Sequence, residues 1–330
     1  MAFDENNSLA RPGGQAGIDR LRFWGYGACA LAGALWGTGF YWGRLALDEM
    51  SVEHMVLYRF LFATLVMLPF ALKNREGLTR GEWRTLMLTA MFGIPIQFLL
   101  QFHGLVLTTV SHAALMVGAM PVLLAAAAAI FAGERLDWLG WLALCGSTAG
   151  AALVVLGGSH ATTGRETPTL MGDFLVICSL FTALAWILLS KKLMESHRPT
   201  VVTAYTILVG TTMMAVIVLG PWAFSPLTHL RATPPPFAHV SATAWMALAI
   251  SGILCTATTT LLWNWGIHHV PASRAGVFLN IEPALGSVLG VELLGEKLGP
   301  YAWFGGALIV TAAIVLTTRG NERQPEAILE

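Results

Sequence analysis

Charged side chains are scarce in this sequence. Only 12% of its 330 residues are Asp, Glu, Lys or Arg, whereas roughly 25% of an average soluble protein is charged. The formal net charge is zero, so no excess of positive charge favours binding to a nucleic acid. Cysteine is also rare, and Cys29, Cys145, Cys178 and Cys255 all fall inside apolar runs. They are typical of small buried side chains and do not indicate a disulfide framework or a metal site.

Sequence motifs of the common enzyme classes are missing as well. The chain contains no Gly-x-Ser-x-Gly, no His-Glu-x-x-His and no nucleotide-binding loop. We therefore predict no catalytic residues, no cofactor and no enzyme activity. The missing nucleotide loop also indicates that any transport is driven by a gradient or is facilitated diffusion.

Long apolar runs are what the sequence has in abundance. Apolar residues make up 55% of the chain, and most runs have the length of about 17–25 residues that spans a bilayer. A spanning segment must satisfy its own backbone hydrogen bonds, so these runs are predicted to be helices. The first 20 residues lack an apolar core, so we expect no cleaved signal peptide. Ten spans are predicted, at about residues 22–43, 52–72, 85–104, 110–131, 137–157, 172–190, 200–220, 243–265, 271–292 and 300–318.

One stretch of the sequence occurs twice. Residues 104–141 and 266–303 align without a gap at an offset of 162 residues. Both copies contain a Ser-x-Ala segment, a proline (Pro121 and Pro283) and a Gly-Glu-basic-Leu block. The duplication predicts two halves. Their boundaries divide the chain into an N-terminal tail at 1–21, a first repeat at 22–157, a linker at 158–171, a second repeat at 172–318 and a C-terminal tail at 319–330.

Lys and Arg are unevenly distributed over the connections between the spans. With the N-terminus in the cytoplasm, 14 of them lie on the cytoplasmic side and 4 outside. Cytoplasmic loops carry the excess of positive charge, so we predict an inner (plasma) membrane protein with both termini cytoplasmic. Five spans per half turn the second half upside down relative to the first. The predicted fold is therefore all-α, with ten transmembrane helices in two inverted five-helix repeats, as in many secondary transporters.

Three features carry a family resemblance. They are ALWGTGF in the first span, LYRF in the second, and the repeated Ser-x-Ala, proline and Gly-Glu blocks. With these segments the chain resembles the EamA family of the drug/metabolite transporter superfamily over about residues 22–318. The resemblance implies a ten-helix carrier that moves small metabolites such as amino acids, commonly outward, by alternating access. It also implies that Glu134 and Glu296 are structural carboxylates, each at the start of the following helix.

The functional prediction is accordingly a secondary transporter that exports a small metabolite such as an amino acid or an amine, with proton coupling as one option. A non-transporting membrane scaffold or an intramembrane enzyme is the alternative. The expected partners are a small-molecule substrate and the lipid bilayer, with no nucleic acid. Gly286 and Gly290 form a Gly-x-x-x-Gly pattern, which predicts a close helix crossing either within the bundle or between the protomers of a homodimer.

Glu282 is the clearest candidate for a substrate-binding residue. A charge at the centre of a bilayer costs roughly 2.5–3.5 kcal/mol on insertion scales, and Glu282 lies near the middle of the ninth span beside Pro283. Asn280 precedes it by two residues, whereas the equivalent positions of the first repeat are Met120 and Gly118. We expect Glu282 and Asn280 to contact substrate or a coupling proton, or else to form a hydrogen-bonded structural group.

The remaining candidates are polar or aromatic residues inside spans. Arg59 is expected either to be held by helix carbonyl groups or to reach the outer interface, or else to pair with Glu282 or a substrate carboxylate. Tyr58 beside it is a further candidate. Gln97 and Gln101 share a helix face, which predicts cavity lining or contacts between helices. Trp36 and Trp186 occupy similar places in the two halves and are predicted either to cap a central site or to pack in the core. Trp263 near the end of the eighth span is predicted to be an interfacial anchor.

Overall fold

The computed structural model describes residues 12–73, 76–131, 138–158, 168–228, 240–270 and 276–319. These residues form helices and connecting segments and contain no strand. Glu134, most of the predicted linker and most of both predicted tails lie outside the described residues. The helices are α1 (Pro12–Leu47), α2 (Val52–Lys73), α3 (Arg80–Met91), α4 (Gln97–Val106), α5 (Val110–Val117), α6 (Met120–Phe131), α7 (Trp138–Gly158), α8 (Leu170–Met194), α9 (Pro199–Thr228), α10 (Ala242–Gly252), α11 (Thr259–His269), α12 (Ile281–Leu294) and α13 (Pro300–Arg319).

Five helical segments of the described chain are long and apolar enough to cross a membrane. They are Val52–Lys73, Arg80–Val106, Leu170–Met194, Pro199–Gly220 and Ala242–His269. The prediction of an all-helical protein with membrane-spanning helices is therefore confirmed for these five segments. Helix α1 differs from the prediction, because it begins at Pro12 and so extends into the segment predicted to be a tail. A proline at the first helical position loses no hydrogen bond, which suits this start.

Two of the long segments contain a π-helical turn in the middle. The first, π1, is Phe92–Ile96 between α3 and α4, and the second, π2, is Ile253–Thr258 between α10 and α11. In π1, Pro95 cannot donate a backbone hydrogen bond. In π2, the hydroxyl groups of Thr256 and Thr258 donate to the carbonyl oxygens five residues earlier, at 2.9 and 2.8 Å. The two π segments are about 162 residues apart, which is the offset of the sequence repeat.

The helix of each repeated stretch is interrupted just before its proline. Helix α5 ends at Val117 and α6 begins at Met120, next to Pro121. In the second copy a 3₁₀ helix, Gly276–Asn280, is followed by α12, which has Pro283 in its first turn. The sequence predicted one continuous span across each proline, at 110–131 and 271–292, but the structure has a new helix start at this place. Proline is well tolerated in a first turn because the amide groups there have no partner within the helix.

Close glycine contacts fix α12 inside the bundle. A Cβ atom at Gly37 of α1 would lie 2.9 Å from the carbonyl oxygen of Glu282. A Cβ atom at Gly286 would lie 2.7 Å from the Cβ of Ala114, and one at Gly290 would meet Ser111 of α5. Gly286 and Gly290 thus serve helix packing within the bundle, which is one of the two alternatives left open by the sequence.

A line of polar contacts, here called the polar seam, joins residues 107–112 of the first half to residues 169–173, where the linker passes into α8, and to Glu296 of the second half. The two carboxylate oxygens of Glu296 accept hydrogen bonds from the backbone amides of Val110 and Ser111, both at 2.7 Å. The Thr169 amide donates to the Leu107 carbonyl oxygen at 3.0 Å. Glu296 therefore caps α5 of the opposite half rather than the helix that follows it, because the unpaired amides of the α5 N-terminus lie within its reach.

Candidate functional site

A cavity lies in the middle of the bundle, between the two interrupted helices and the two π segments. The centres of water molecules can occupy about 120 Å³ of this cavity. This is enough space for on the order of ten water molecules. A metabolite the size of an amino acid fits this space. The wall is formed by Trp36, Gly39, Phe40, Arg59, Phe60, Gly93, Ile94, Gln97, Phe98, Gln101, Phe102, Val117, Met120, Ser179, Leu180, Ala183, Trp186, Ile187, Thr206, Ile207, Cys255, Thr256, Thr260, Trp263, Leu279 and Glu282.

Arg59 is held in place by the second π segment. Its Nε donates to the Thr256 hydroxyl at 2.7 Å, and one terminal nitrogen donates to the Cys255 carbonyl oxygen at 3.3 Å. The guanidinium carbon lies 4.8 Å from the ring centre of Phe98 and 5.5 Å from that of Phe102. The residue is only 3% exposed, and hydrogen bonds and cation–π contacts offset the cost of burying its charge. The structure thus places Arg59 among helix carbonyl groups and on the cavity wall at once.

Glu282 lies in the first turn of α12, where the cavity meets the break in the helix. Its backbone is fixed by the close approach of Gly37, and its side chain is half-buried. None of the described residues donates a hydrogen bond to this carboxylate. Arg59 and Glu282 interact electrostatically across the cavity. They are the two side chains of the described wall with a formal charge, so the wall carries one positive and one negative group.

Gln97 and Gln101 both face the cavity, on the first turns of α4 beyond π1. The side-chain oxygen of Gln97 is buried without a hydrogen-bond partner in the described part of the chain. A buried acceptor of this kind costs about 1–3 kcal/mol when it stays unpaired. A ligand that donates a hydrogen bond in this place would remove that cost.

Tryptophan rings form the apolar part of the wall. Trp36 of α1 and Trp263 of α11 lie with their ring centres 5.5 Å apart. Trp186 of α8 lies against π1, where the missing side chain of Gly93 leaves room for the indole ring. Trp263 is 3% exposed, so its prediction as an interfacial anchor is wrong. Aromatic faces of this kind suit apolar groups and cations.

Two of the eight candidate residues are not part of the described wall. Tyr58 packs its ring against Trp245, at 5.1 Å between ring centres. Neighbouring residues of an α-helix point about 100° apart, so Tyr58 faces away when Arg59 faces the cavity. Asn280 is 7% exposed and ends the 3₁₀ helix. The other six candidates, Trp36, Arg59, Gln97, Gln101, Trp186 and Glu282, meet in the one cavity.

A second polar group, which lies in the polar seam, was not predicted from the sequence. The Nδ1 atom of His112 lies 3.3 Å from Oδ1 of Asp173, and the Thr108 hydroxyl donates to the same oxygen at 2.9 Å. His112 is 1% and Asp173 2% exposed. The one available signal was the sequence repeat, which aligns His112 with another basic residue, Arg274.

Comparisons with known proteins agree with this architecture. The model of the EamA-like transporter family matches residues 23–156 and 170–318. An uncharacterized transporter of Archaeoglobus fulgidus is 24% identical over 88% of this chain and 95% of its own length. A probable terminal-alkyne amino-acid exporter of Streptantibioticus cattleyicolor is 25% identical over 91% of this chain and 95% of its own. A solved crystal structure superposes with a TM-score of 0.60 at 18% identity, covering 91% of this chain and 97% of the other. That last match concerns the fold alone.

Proposed function

The chain belongs to the EamA-like transporter family, and on that premise we propose that it is a secondary carrier that exports an amino acid or an amine. Transport itself follows from the family and from relatives that are named transporters. The kind of substrate, the outward direction and the driving force are the proposal. The observation that supports it best is the central cavity, whose wall contains both Arg59 and Glu282.

The charges of the cavity favour a substrate with an ammonium group. The half-buried Glu282 carboxylate has no donor among the described residues, and removing a carboxylate from water without a partner is costly. An ammonium group would pair with it. A carboxylate on the same molecule would face Arg59, whose guanidinium has donor capacity left after its bonds to Thr256 and Cys255. An amino acid would use both charges and an amine only Glu282.

Alternating access of two inverted five-helix repeats, at about 22–157 and 172–318, is the proposed mechanism. The paired π segments and the paired helix breaks support it, because both recur at the offset of the sequence repeat. Discontinuous helices around a central site are the usual construction of such carriers. The same proposal places the protein in the inner membrane, with ten spans and both termini in the cytoplasm.

Counterflow in proteoliposomes tests the proposed function. Vesicles are preloaded with one unlabelled compound from a panel of amino acids and amines, and uptake of the same labelled compound is measured. We expect uptake above that of protein-free vesicles for at least one compound. If folded protein exchanges no compound, with or without a pH gradient, the carrier proposal is refuted. This result would favour the alternative of a membrane scaffold or an intramembrane enzyme.

Cysteine labelling tests the proposed orientation. Glu195 lies in the α8–α9 connection, which the proposal puts in the cytoplasm, and Glu49 in the α1–α2 connection, which it puts outside. Both residues are exposed. In intact cells, a membrane-impermeant maleimide should label a Glu49→Cys variant and not a Glu195→Cys variant. The reverse pattern would overturn the orientation while leaving the transport proposal in place.

A further inference from the structure

The group formed by Thr108, His112 and Asp173 in the polar seam contains a buried nitrogen without a hydrogen-bond partner among the described residues. Asp173 lies in the first turn of α8, where the positive end of the helix dipole favours an ionised carboxylate. An ionised carboxylate only accepts hydrogen bonds, so Nδ1 of His112 carries the hydrogen. The other ring nitrogen, Nε2, is buried and has no hydrogen-bond partner in the part of the chain that the structure describes. In neutral His112 this nitrogen has a free lone pair, which can take up one proton.

A proton at this nitrogen changes the charge of the group from −1 to zero. The contact between His112 and Asp173 then becomes an ion pair with a charge-assisted hydrogen bond, which is roughly twice as strong as a neutral one. Because His112 belongs to α5 and Asp173 to α8, the added strength acts between the two halves. Protonation therefore neutralises the buried group and strengthens the contact between α5 and α8.

The group cannot exchange protons with water while the seam is closed. Both side chains are at most 2% exposed, so water reaches them only when α5 and α8 separate. A binding site whose access and affinity both differ between two states biases the equilibrium between those states. That property is required of a site that couples ion binding to a conformational change.

Several other titratable groups lie near this end of the described bundle, namely Glu296, Arg44, Asp48, Glu53, His54 and His103. The Glu296 carboxylate is bound to the amides of Val110 and Ser111. Arg44 of α1 donates to the Leu105 carbonyl oxygen, and His103 of α4 pairs with Glu53 at 3.1 Å within the first half. None of these groups is hydrogen-bonded to His112 or Asp173, whose described side-chain contacts are with Thr108 and with each other.

We propose that His112 and Asp173 form a proton-binding site in the polar seam, separate from the substrate cavity, through which protonation holds the seam closed. The step takes one proton from water onto the Nε2 lone pair and releases it to water when the seam opens. The proposal rests on the proposed function in one respect, since it requires two halves that move against each other.

Electron paramagnetic resonance distance measurements on reconstituted protein test this site. Spin labels are attached to Val106→Cys of the first half and Met171→Cys of the second, both at exposed positions beside the seam. Cys145→Ala and Cys178→Ala remove the native thiols that are not buried. Distances are recorded from about pH 5 to pH 8, the range in which histidine titrates. The measurement compares the protein with an unsubstituted seam with the variants His112→Gln and Asp173→Asn. The variant His103→Gln is the matched control, because it changes a histidine outside the seam.

The unsubstituted protein should show a separated population that grows several-fold as the pH rises. His103→Gln should keep this pH step, whereas His112→Gln and Asp173→Asn should lose it. A pH step that persists in His112→Gln, or is absent without any substitution, overturns the proposal. The pH step of the unsubstituted protein can be measured even if His112→Gln and Asp173→Asn both fail to fold, and its absence alone overturns the proposal. Because no substrate is needed, failed counterflow with an intact pH step would count against the proposed function alone.

Discussion

Arg59 and Glu282 carry opposite charges into one cavity but are bonded very differently. Arg59 already donates to Thr256 and Cys255 and contacts two aromatic rings. Glu282 has a fixed backbone and no donor to its carboxylate within the described residues. A ligand therefore gains more from pairing with Glu282, while Arg59 is already largely compensated by the protein. We expect substitutions at the two residues to have different consequences.

Glu282→Gln should weaken substrate binding and remove any proton effect that acts through the cavity carboxylate. The amide keeps the size of the side chain, but it cannot take up a proton or balance an ammonium charge. Loss of one partner from a buried charge pair costs about 2–5 kcal/mol, so the half-saturation concentration should rise at least about thirtyfold. Transport kinetics with and without a pH gradient check this. The control Glu292→Gln, at an exposed carboxylate on the same helix, should behave like the natural protein.

Thr256→Val should destabilise the protein by leaving the Nε of Arg59 without an acceptor. A buried polar group that loses its partner costs about 1–3 kcal/mol, and more if charged. Thermal unfolding in detergent is the measurement. Thr258→Val is the matched control, because Thr258 donates to a carbonyl oxygen of its own helix in the same π segment. Equal melting temperatures for the two variants would contradict the assigned role of Thr256.

The charged members of the site could be found from the sequence, but their partners could not. A charge within a long apolar run is expensive and stands out, which identifies Arg59 and Glu282 without a structure. Thr256 and Cys255 gave no such signal, because the π turn that aims them at Arg59 is not visible in the apolar pattern. Tyr58 was selected for being next to Arg59, although neighbouring helical residues point in different directions.

At the scale of the helices, each π segment contributes a feature to the cavity, a backbone acceptor in π2 and space for a side chain in π1. In π2 the Cys255 carbonyl oxygen accepts from Arg59, and in π1 Gly93 makes room for Trp186. π turns are often found at functional sites for this reason. The spans that contain them were predicted from hydrophobic length. Their π turns were not predicted, because the hydrophobic pattern of a span does not show them and the second π segment contains no proline.

Gly37→Ala should separate α1 from α12 at the level of Glu282. The added methyl group would lie 2.9 Å from the Glu282 carbonyl oxygen and 3.0 Å from the Cβ of Leu285, so the helices must shift. Overpacking of this kind costs about 1–3 kcal/mol, and we expect a lower melting temperature and slower counterflow. Gly27→Ala on the same helix places its methyl group with no atom within 4 Å. That control should be neutral or slightly stabilising, and a similar loss in both variants would contradict the packing argument.

At the scale of the whole molecule, the halves are joined at both ends of α8. One end is the polar seam. At the other, His197 after α8 lies 2.8 Å from Glu76 and 3.1 Å from Glu82, which belong to the first half. The duplication in the sequence predicted two halves, and the family match agrees with transport. The sequence repeat could not predict which residues join the two halves, because these contacts lie between segments that are distant in the chain.

Stability should fall as the pH rises through the titration of His197. Hydrogen bonding to Glu76, with a further contribution from Glu82, raises the pKa of His197 above its ordinary value of 6.5. A raised folded-state pKa means that the stabilisation is complete below the unfolded value and is lost as the pH passes the folded value. Melting temperatures measured upward from about pH 6 should decline. His197→Gln should flatten this decline, and His268→Gln, at an exposed histidine, should not.

The two cavity charges come from different halves, Arg59 from α2 and Glu282 from α12, and this has an electrical consequence. With both ionised, the empty cavity carries no net charge, so the return of the unloaded carrier moves no charge through the membrane field. With Glu282 protonated, one positive charge remains, and crossing a potential of 100 mV then involves about 2.3 kcal/mol. The voltage dependence of the unloaded return step therefore reports the protonation state of a single carboxyl group.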